Sequence, residues 1–161
     1  MEEEGQPESV ELEPPASSAN TTADDKGRMK LPVSFERYLR AMSVSEVWIT
    51  SLDFRSARIY SKSEWRKQEE LFNRPGPTAT AGEILLKRAK GYGHYTTIDA
   101  QGRVLLPARL RKEAGLEGKA LICTWIKQHV EVETEDQFEE GLHREADSKA
   151  LMGMFTDLGL T

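Results

Sequence analysis

A short motif occurs twice in this chain, and this repetition limits the possible folds more than any other feature of the sequence. The motif has the form Asp-x-x-Gly-Arg-x-x-x-Pro, and its copies occupy residues 24–32 and, 75 positions later, residues 99–107. Similarity continues beyond the motif, because residues 47–65 resemble residues 121–138 with one residue of slippage. Self-similarity at a fixed offset indicates a duplicated structural unit. The chain is therefore expected to contain two copies of one small unit.

Neither copy is large enough to fold alone. A unit of about 45 residues buries too little apolar surface for independent stability, so each copy needs the other to cover its strand faces. The whole chain has 161 residues, of which 38% are hydrophobic, and this is enough for one modest core. Two copies packed about a pseudo-twofold axis would share that core. The sequence leaves open whether strands are exchanged between the copies.

The order of elements is clearest in the second copy. Residues 94–98 and 103–106 have the composition of strands on either side of a turn, and Pro107 and Gly115 are placed to begin and end a helix. A hairpin with its bend near its middle is predicted over residues 120–133. The unit is therefore predicted to be ββαββ, and the first copy follows the same plan.

Capping patterns predict two further helices. Thr134 with Gln137 three residues later indicates a capping box, and Thr80 with Glu83 indicates the start of a helix between the copies. Gly91 is expected to end that connector helix. Its residues expected to face inward are Ile84, Leu85 and Ala89. The tryptophans expected in the core or in a subunit contact are Trp48, Trp65 and Trp125.

Residues 1–20 are predicted to be a disordered acidic tail. They contain six Glu, three Pro and no Lys or Arg, and such a composition cannot bury enough apolar surface to offset the entropy of ordering. The other predicted segments are a first repeat at residues 21–70, a helical connector at 71–93, a second repeat at 94–140 and a C-terminal helix or tail at 141–161.

The net charge of −5 averages three unlike regions. Residues 1–20 hold six acidic and no basic residues, and residues 131–161 hold nine acidic and two basic residues. Residues 21–130 therefore carry 20 of the 22 basic and 12 of the 27 acidic residues, a net charge of +8. A basic region of this kind is typical of a protein that binds a polyanion, although ordinary solvated faces are the alternative.

Within the repeated motif, Asp and Gly are expected to build the turn. An Asp side chain at the start of a turn accepts hydrogen bonds from backbone N–H groups further along, and Gly adopts the positive φ that a tight turn demands. The predicted structural turn residues are Asp24, Gly27, Asp99 and Gly102.

The strand after each turn is expected to place its cations outward. Side chains alternate along a strand, so apolar residues on one face leave their neighbours on the other. The residues predicted to face inward are Met29, Leu31, Val104 and Leu106. Those predicted to face outward are Arg28, Lys30, Arg103 and Leu105. With Lys26 in its turn, the first hairpin is predicted to be the more basic of the two.

A cationic two-stranded ribbon supports two interpretations. Its width allows it to enter the major groove of duplex DNA, where Arg can bond guanine and Lys can contact phosphate. Alternatively, Arg28 and Arg103 pair with nearby carboxylates and only stiffen the hairpin. The carboxylates considered for that pairing are Asp24, Asp99 and Glu113.

The second motif, extended to Arg111 and to the strand at residues 120–126, resembles the AbrB-type swapped-hairpin DNA-binding domain. Two such copies joined by a helical connector resemble the bacterial MraZ family of transcriptional regulators, over roughly residues 21–140. The resemblance implies an α+β fold of tandem pseudo-twofold AbrB/MraZ-like swapped-hairpin β-barrel repeats with flanking helices.

The same resemblance implies a function and partners. It implies a sequence-specific DNA-binding regulator of the division and cell-wall gene cluster, which binds promoter direct repeats in double-stranded DNA as a ring-shaped homo-oligomer. The implied location is cytoplasmic and nucleoid-associated. The residues expected to contact DNA are Lys26, Arg28, Lys30, Gln101 and Arg103. Two other hypotheses remain open: an oligomeric scaffold or partner-binding protein that has lost DNA binding, and an AbrB-like antitoxin.

The first copy departs from the second at two places. Glu36 occupies the position that matches Arg111. The residues that precede Asp24, at 17–23, are polar rather than apolar, so the sequence does not establish a leading strand for the first repeat.

Enzymatic, metal-dependent and membrane functions find no support in the sequence. The histidines, His94, His129 and His143, lack metal-ligand spacing, and Cys123 lies in an apolar run that favours a buried thiol. We expect no enzyme activity, cofactor, metal or small-molecule substrate. No apolar run approaches the roughly 20 residues of a membrane span, and neither a signal peptide nor membrane association is expected.

Overall fold

The computed structural model describes residues 12–161, and each repeat in it has the order ββαββα. The first repeat contains β1 (Ala19–Thr21), β2 (Arg28–Lys30), α1 (Val33–Ala41), β3 (Glu46–Thr50), β4 (Ala57–Ser61) and α2 (Lys62–Phe72). The connector is α3 (Ala79–Tyr92). The second repeat contains β5 (His94–Thr97), β6 (Arg103–Leu105), α4 (Ala108–Glu113), β7 (Leu121–Ile126), β8 (His129–Thr134) and α5 (Glu135–Leu142). The chain continues into α6 (Ser148–Gly153) and a 3-10 turn (Thr156–Leu158). The predicted ββαββ core of each unit is confirmed.

Strands are exchanged between the repeats. A six-stranded antiparallel sheet has the order β1-β7-β8-β4-β3-β5, so the first strand of each repeat pairs with the third strand of the other. The second strands, β2 and β6, pair with each other in a separate two-stranded ribbon. This is the swapped-hairpin α+β fold that was expected. In residues 12–161 the larger sheet is open, with β1 and β5 at its edges, so hydrogen-bonded strands do not close the expected barrel.

One shared core lies beneath the ribbon, as the size of the units requires. Met29, Leu31, Val104 and Leu106 are each at most 1% exposed, which confirms the inward face predicted from alternation. They pack in one cluster with apolar side chains of α1, α4 and the large sheet. Burying each such side chain stabilises the fold by about 1.5–3 kcal/mol.

A smaller aromatic cluster attaches α2 and α3 to the sheet. Trp65 is buried and stacks on Trp48 with ring centroids 5.3 Å apart, and Tyr60 packs beside it. The Thr50 hydroxyl donates a hydrogen bond to the Ala89 carbonyl at 2.7 Å, which ties α3 to β3. Trp125 lies apart from this cluster, edge-on to Tyr38. In residues 12–161 no helix combines the length and the apolar character needed to cross a membrane.

The start of the first repeat differs from the prediction. Ala19 and Asn20, assigned to the disordered tail at 1–20, belong to β1, so the first repeat does have a leading strand. A polar segment forms this strand because β7 supplies its hydrogen-bonding partners, and as an edge strand it needs only one covered face. The part of the predicted tail at residues 1–11 lies outside the described residues.

The connector helix is also shifted from its prediction. It begins at Ala79 rather than after Thr80, and it continues past Gly91 to Tyr92, with Gly93 as its C-cap. Ile84, expected to face inward, is 51% exposed. The reason is close packing at Gly82, where an added Cβ would lie 2.2 Å from the Phe72 carbonyl oxygen. The packed face of the helix is therefore built from Gly82, Leu85, Leu86 and Ala89.

Candidate nucleic-acid interface

The ribbon of β2 and β6 brings the outward cations of both repeats together. Arg28 lies opposite Leu105, and Lys30 lies opposite Arg103, with the buried pair of Met29 and Val104 between them. Because neighbouring residues on a strand alternate between faces, these outward residues share one surface. Three cations and one apolar side chain thus form the outer face of a ribbon only three residues long on each strand.

The turns before the two strands have matching hydrogen bonds. Asp24 Oδ1 accepts from the backbone N–H groups of Lys26 and Arg28, at 3.0 and 2.9 Å. Asp99 Oδ1 accepts from those of Gln101 and Arg103, both at 2.9 Å. The glycines that follow have positive φ, +87° at Gly27 and +76° at Gly102. The exposed side chains of Lys26 and Gln101 lie at matched positions at the tips of these turns.

Each motif arginine is held by the aspartate of its own motif. Arg28 Nε donates to Asp24 Oδ2, and Arg103 Nε donates to Asp99 Oδ2, both at 2.9 Å. The backbone N–H of the same arginine, with its guanidinium, holds the pKa of each aspartate below its usual value. The pairing that the structural interpretation expected is therefore present with these two carboxylates.

Glu113, the third carboxylate considered, contacts Arg109 and Tyr92 instead. The motif arginines also remain accessible despite their pairing. Their side chains are 40% exposed at Arg28 and 31% exposed at Arg103, and the bond to each aspartate uses the Nε–H. A guanidinium has five N–H donors, so this pairing orients the group and leaves donors on its Nη atoms.

The strand exchange makes each turn depend on the other repeat. The Gly27 carbonyl accepts a hydrogen bond from the Leu106 N–H at 2.8 Å, and the Gly102 carbonyl accepts one from the Leu31 N–H at 2.9 Å. The strand that follows each turn therefore hydrogen-bonds to the glycine of the other turn and holds that turn in place.

Arg111 supports the first turn from below. It is buried, and its Nη1 donates to the carbonyls of Lys26 at 3.1 Å and Leu106 at 2.8 Å. A Cβ added to Gly27 would lie 1.5 Å from this nitrogen. The first turn therefore rests on a buried cation supplied by α4.

Glu36 lies in the matched place beneath the second turn. A Cβ added to Gly102 would lie 2.2 Å from its Oε2. A carboxylate cannot donate to a carbonyl, so cations from elsewhere perform that task. Lys30 Nζ donates both to the Gln101 carbonyl and to Glu36 Oε2, the latter at 2.8 Å. Arg40 donates to Glu36 Oε1 at 3.1 Å and to the Asp99 carbonyl at 2.7 Å.

This cluster stabilises the ionised form of Glu36. The hydrogen bond from Lys30, together with the bond from Arg40, holds the pKa of the Glu36 carboxyl below its usual value. Sequence reasoning identified Lys30 as an outward cation but missed Arg40, Glu36 and Arg111 as parts of the site. The available signals were the mismatch between Glu36 and Arg111 at matched positions and the spacing of four between Glu36 and Arg40.

Away from the ribbon, the thiol of Cys123 and the imidazole of His129 are buried. Burial raises the pKa of the Cys123 thiol to about 12 and lowers the pKa of His129 to about 4, with nearby cations adding to the effect at the histidine. Both groups are therefore uncharged at neutral pH. Between residues 12 and 161, no three His, Cys, Asp or Glu side chains converge in a way that could hold a metal ion.

Comparison with known proteins places this chain in a family. The family model described as "MraZ protein, putative antitoxin-like" matches residues 93–151. A protein of Acidobacterium capsulatum named transcriptional regulator MraZ is 35% identical over 122 residues, which cover 76% of this chain and 83% of that protein. The proteins of the same name from Koribacter versatilis and Shewanella sediminis are 32% and 34% identical. Those matches cover 66% and 62% of this chain, and 74% and 66% of the respective relatives. The chain therefore belongs to the MraZ family of transcriptional regulators.

Proposed function

We propose that this chain regulates transcription by binding double-stranded DNA with the outer face of the β2–β6 ribbon and the two turns beside it. The observation that carries the proposal is the convergence of Arg28, Lys30 and Arg103 on one narrow surface. The major groove of duplex DNA, about 12 Å wide, admits a two-stranded ribbon of this kind.

The two motif arginines are the groups that supply recognition in this proposal. Each is oriented by a bond from its Nε to an aspartate, so part of the entropy of fixing a long side chain is already lost in the unbound protein. The remaining guanidinium donors can bond the O6 and N7 atoms of guanine or a phosphate. The exposed amine of Lys26 adds a phosphate contact at the tip of the first turn.

The finer parts of the proposal follow the family resemblance. We propose promoter direct repeats upstream of the division and cell-wall gene cluster as the target, a ring-shaped homo-oligomer as the binding form, and a cytoplasmic, nucleoid-associated location. The small area of one ribbon supports a multivalent form, because linking several weak modules raises the effective concentration without new contacts.

Fluorescence anisotropy with the promoter of the chain's own gene tests the assignment of the arginines. The Arg28→Ala/Arg103→Ala variant is expected to bind at least about a hundredfold more weakly, since each of the two lost charged contacts is worth about 1.5–3 kcal/mol. The slope of log K against log salt should decrease by nearly one for each phosphate contact removed. Arg66→Ala, an exposed arginine of α2, is the matched control. Equal affinity of the double variant and the unchanged chain would reject the ribbon as the DNA-binding surface.

A protein-binding role is the second candidate. The family description includes the word antitoxin-like. Both motif arginines are paired with aspartates of the same chain, so they would have ion-pair partners even in a protein that does not bind DNA. An oligomeric scaffold that has lost DNA binding would show no binding to the promoter even at low salt, where electrostatic binding is strongest. An AbrB-like antitoxin would instead be identified by a stable complex with a partner protein.

A further inference from the structure

The end of the chain carries an uncovered apolar surface. The C-terminal arm, defined here as residues 145–161, follows α5 and contains α6 and the 3-10 turn. Every residue of the arm is exposed. Its large apolar side chains, between 46% and 78% exposed, are Leu151, Met152, Met154, Phe155, Leu158 and Leu160. Soluble proteins seldom expose a contiguous apolar surface unless something binds it.

The spacing of these residues fits a helix that lies in a groove. Leu151, Met154, Phe155 and Leu158 are related by steps of three and four residues, which places them on one face of a helix. In the single chain this stretch is a six-residue helix and a separate 3-10 turn. Helices this short are marginal without tertiary contacts, so the arm requires a surface to pack on. Its three acidic residues and one lysine give it a net charge of −2.

A groove with complementary properties lies on the body of the protein. It has a volume of about 400 Å³ and lies between the β3–β4 loop, the end of α3 and the start of α4. Its apolar surface is formed by Phe54, Ile84 and Tyr92, and its rim carries Lys87, Arg88 and Arg109. Phe54 is 41% exposed and Ile84 is 51% exposed, so the floor is open to solvent.

The aromatic floor is held in place at a local energetic cost. Phe54 has a φ of +62°, a conformation that costs a residue other than glycine about 1–2 kcal/mol. Asp53 maintains it, because its Oδ1 accepts hydrogen bonds from the backbone N–H groups of Arg55 and Ser56, both at 3.0 Å. The ring of Phe54 is then edge-on to Tyr92, and the Arg88 guanidinium lies 4.7 Å from its centroid. Strain that presents an aromatic ring to solvent is typical of a binding site.

We propose that the C-terminal arm of one copy of this chain docks in the Phe54–Tyr92 groove of a second copy. The apolar face of the arm covers Phe54, Ile84 and Tyr92, and its acidic residues meet the three rim cations. The chain's own arm does not occupy the groove, since every arm residue is exposed. Arm and groove are different surfaces, so the contact is heterologous and can continue from copy to copy. This contact rests on the homo-oligomer of the proposed function, and it does not depend on DNA binding.

Light scattering after size exclusion, without DNA, measures the contact. The unchanged chain is expected to elute as a multiple of 18.2 kDa, and the Phe155→Glu/Leu158→Glu variant as a single 18.2 kDa chain. Both substitutions are on exposed residues, so circular dichroism should show that the variant remains folded and unfolds cooperatively. Val33→Glu, an equally exposed apolar position on α1, is the matched control and should keep the assembled mass.

Mixing two defective copies tests whether the arm of one chain docks on another chain. Lys87→Glu/Arg88→Glu reverses the charge of two of the three rim cations and should also give a single chain. That variant keeps an intact arm, and the Phe155→Glu/Leu158→Glu variant keeps an intact groove, so an equimolar mixture should form pairs of twice 18.2 kDa. Absence of pairs in the mixture, an unchanged mass for either variant alone, or an 18.2 kDa mass for the unchanged chain at about 100 μM each overturns the proposal. An unchanged chain that assembles but does not bind DNA would contradict only the proposed role of the ribbon, and not the contact between copies.

Discussion

The two turns of the repeated motif have the same backbone but opposite charges beneath them. Both use an aspartate, a glycine with positive φ and a strand N–H from the other repeat. Beneath the first turn lies the buried cation of Arg111, and beneath the second lies the carboxylate of Glu36. Duplication therefore preserved the shape of the turn while the chemistry of its support diverged.

Both turns need a cation to satisfy a backbone carbonyl. In the first turn Arg111 donates to the Lys26 carbonyl from the buried side of the ribbon. In the second, Lys30 donates to the matched Gln101 carbonyl from the outer face. Lys30 belongs to the first repeat in sequence but serves the turn of the second repeat because the strands are exchanged. On the outer face, the amine of Lys30 is therefore occupied in supporting the second turn. No outer-face amine is needed to support the first turn.

Alanine at the two motif glycines should have the largest and most unequal effects. Gly27→Ala combines a positive φ with a contact 2.7 Å from the Leu106 carbonyl oxygen and a clash with Arg111, so a loss of about 3 kcal/mol in unfolding free energy is expected. At Gly102 the obstacle is the movable end of Glu36, and a loss of about 1–2 kcal/mol is expected. Urea unfolding measures both, and equal losses would show that the two supports are equivalent.

Removal of the supporting side chains should give the next largest difference. Arg111→Met leaves the carbonyls of Lys26 and Leu106 without this donor inside the protein, and a loss of about 2 kcal/mol is expected. Glu36→Gln keeps the shape of the side chain and weakens partly exposed ion pairs, which are worth about 1 kcal/mol or less. A larger loss for Glu36→Gln in thermal or urea unfolding would contradict this order.

The sequence predicted the parts of this comparison that depend on local pattern. The offset of 75 residues revealed the duplication, and alternation placed Met29 and Val104 inward and the cations outward. The exchange of β1 and β5 could not be derived from local pattern, because two similar repeats offer nearly equivalent partners within and between copies, and only the family resemblance implied it. Because of that exchange, Arg111 of the second repeat lies beneath the first turn and Glu36 of the first repeat lies beneath the second. The sequence alone showed only that unlike residues occupy these matched positions.

Measurements of DNA binding should distinguish the contribution of Lys26 from that of Lys30. Lys26 is exposed at the tip of the first turn, so Lys26→Ala is expected to weaken binding severalfold and reduce the salt slope by about one. Lys30→Ala should change the slope by less than half as much, because its amine is already bonded to Glu36 and the Gln101 carbonyl.

Glu36→Gln provides the complementary test of Lys30. Releasing the amine should tighten DNA binding, and the gain should vanish in the Glu36→Gln/Lys30→Ala double variant. Anisotropy titrations over a range of salt concentrations measure these differences. A slope that falls equally for Lys26→Ala and Lys30→Ala would mean that both amines contact phosphate.

Acid should loosen the second turn more than the first. The folded state lowers the pKa of Glu36 from its usual value of 4.5, mainly through the hydrogen bond from Lys30. The stabilisation from the ionised carboxylate is therefore present at neutral pH and is lost as the pH falls from that usual value through the lowered one. Asp24 and Asp99 have pKa values lowered for the same reasons in both turns, so their protonation affects the two sides alike. Hydrogen exchange of the Leu31 N–H, bonded to the Gly102 carbonyl, should therefore lose protection relative to that of Leu106 between about pH 5 and about pH 3. In the Glu36→Gln variant, the ratio of Leu31 protection to Leu106 protection should be independent of pH. A ratio that still changes with pH in the variant would assign the acid response to another group.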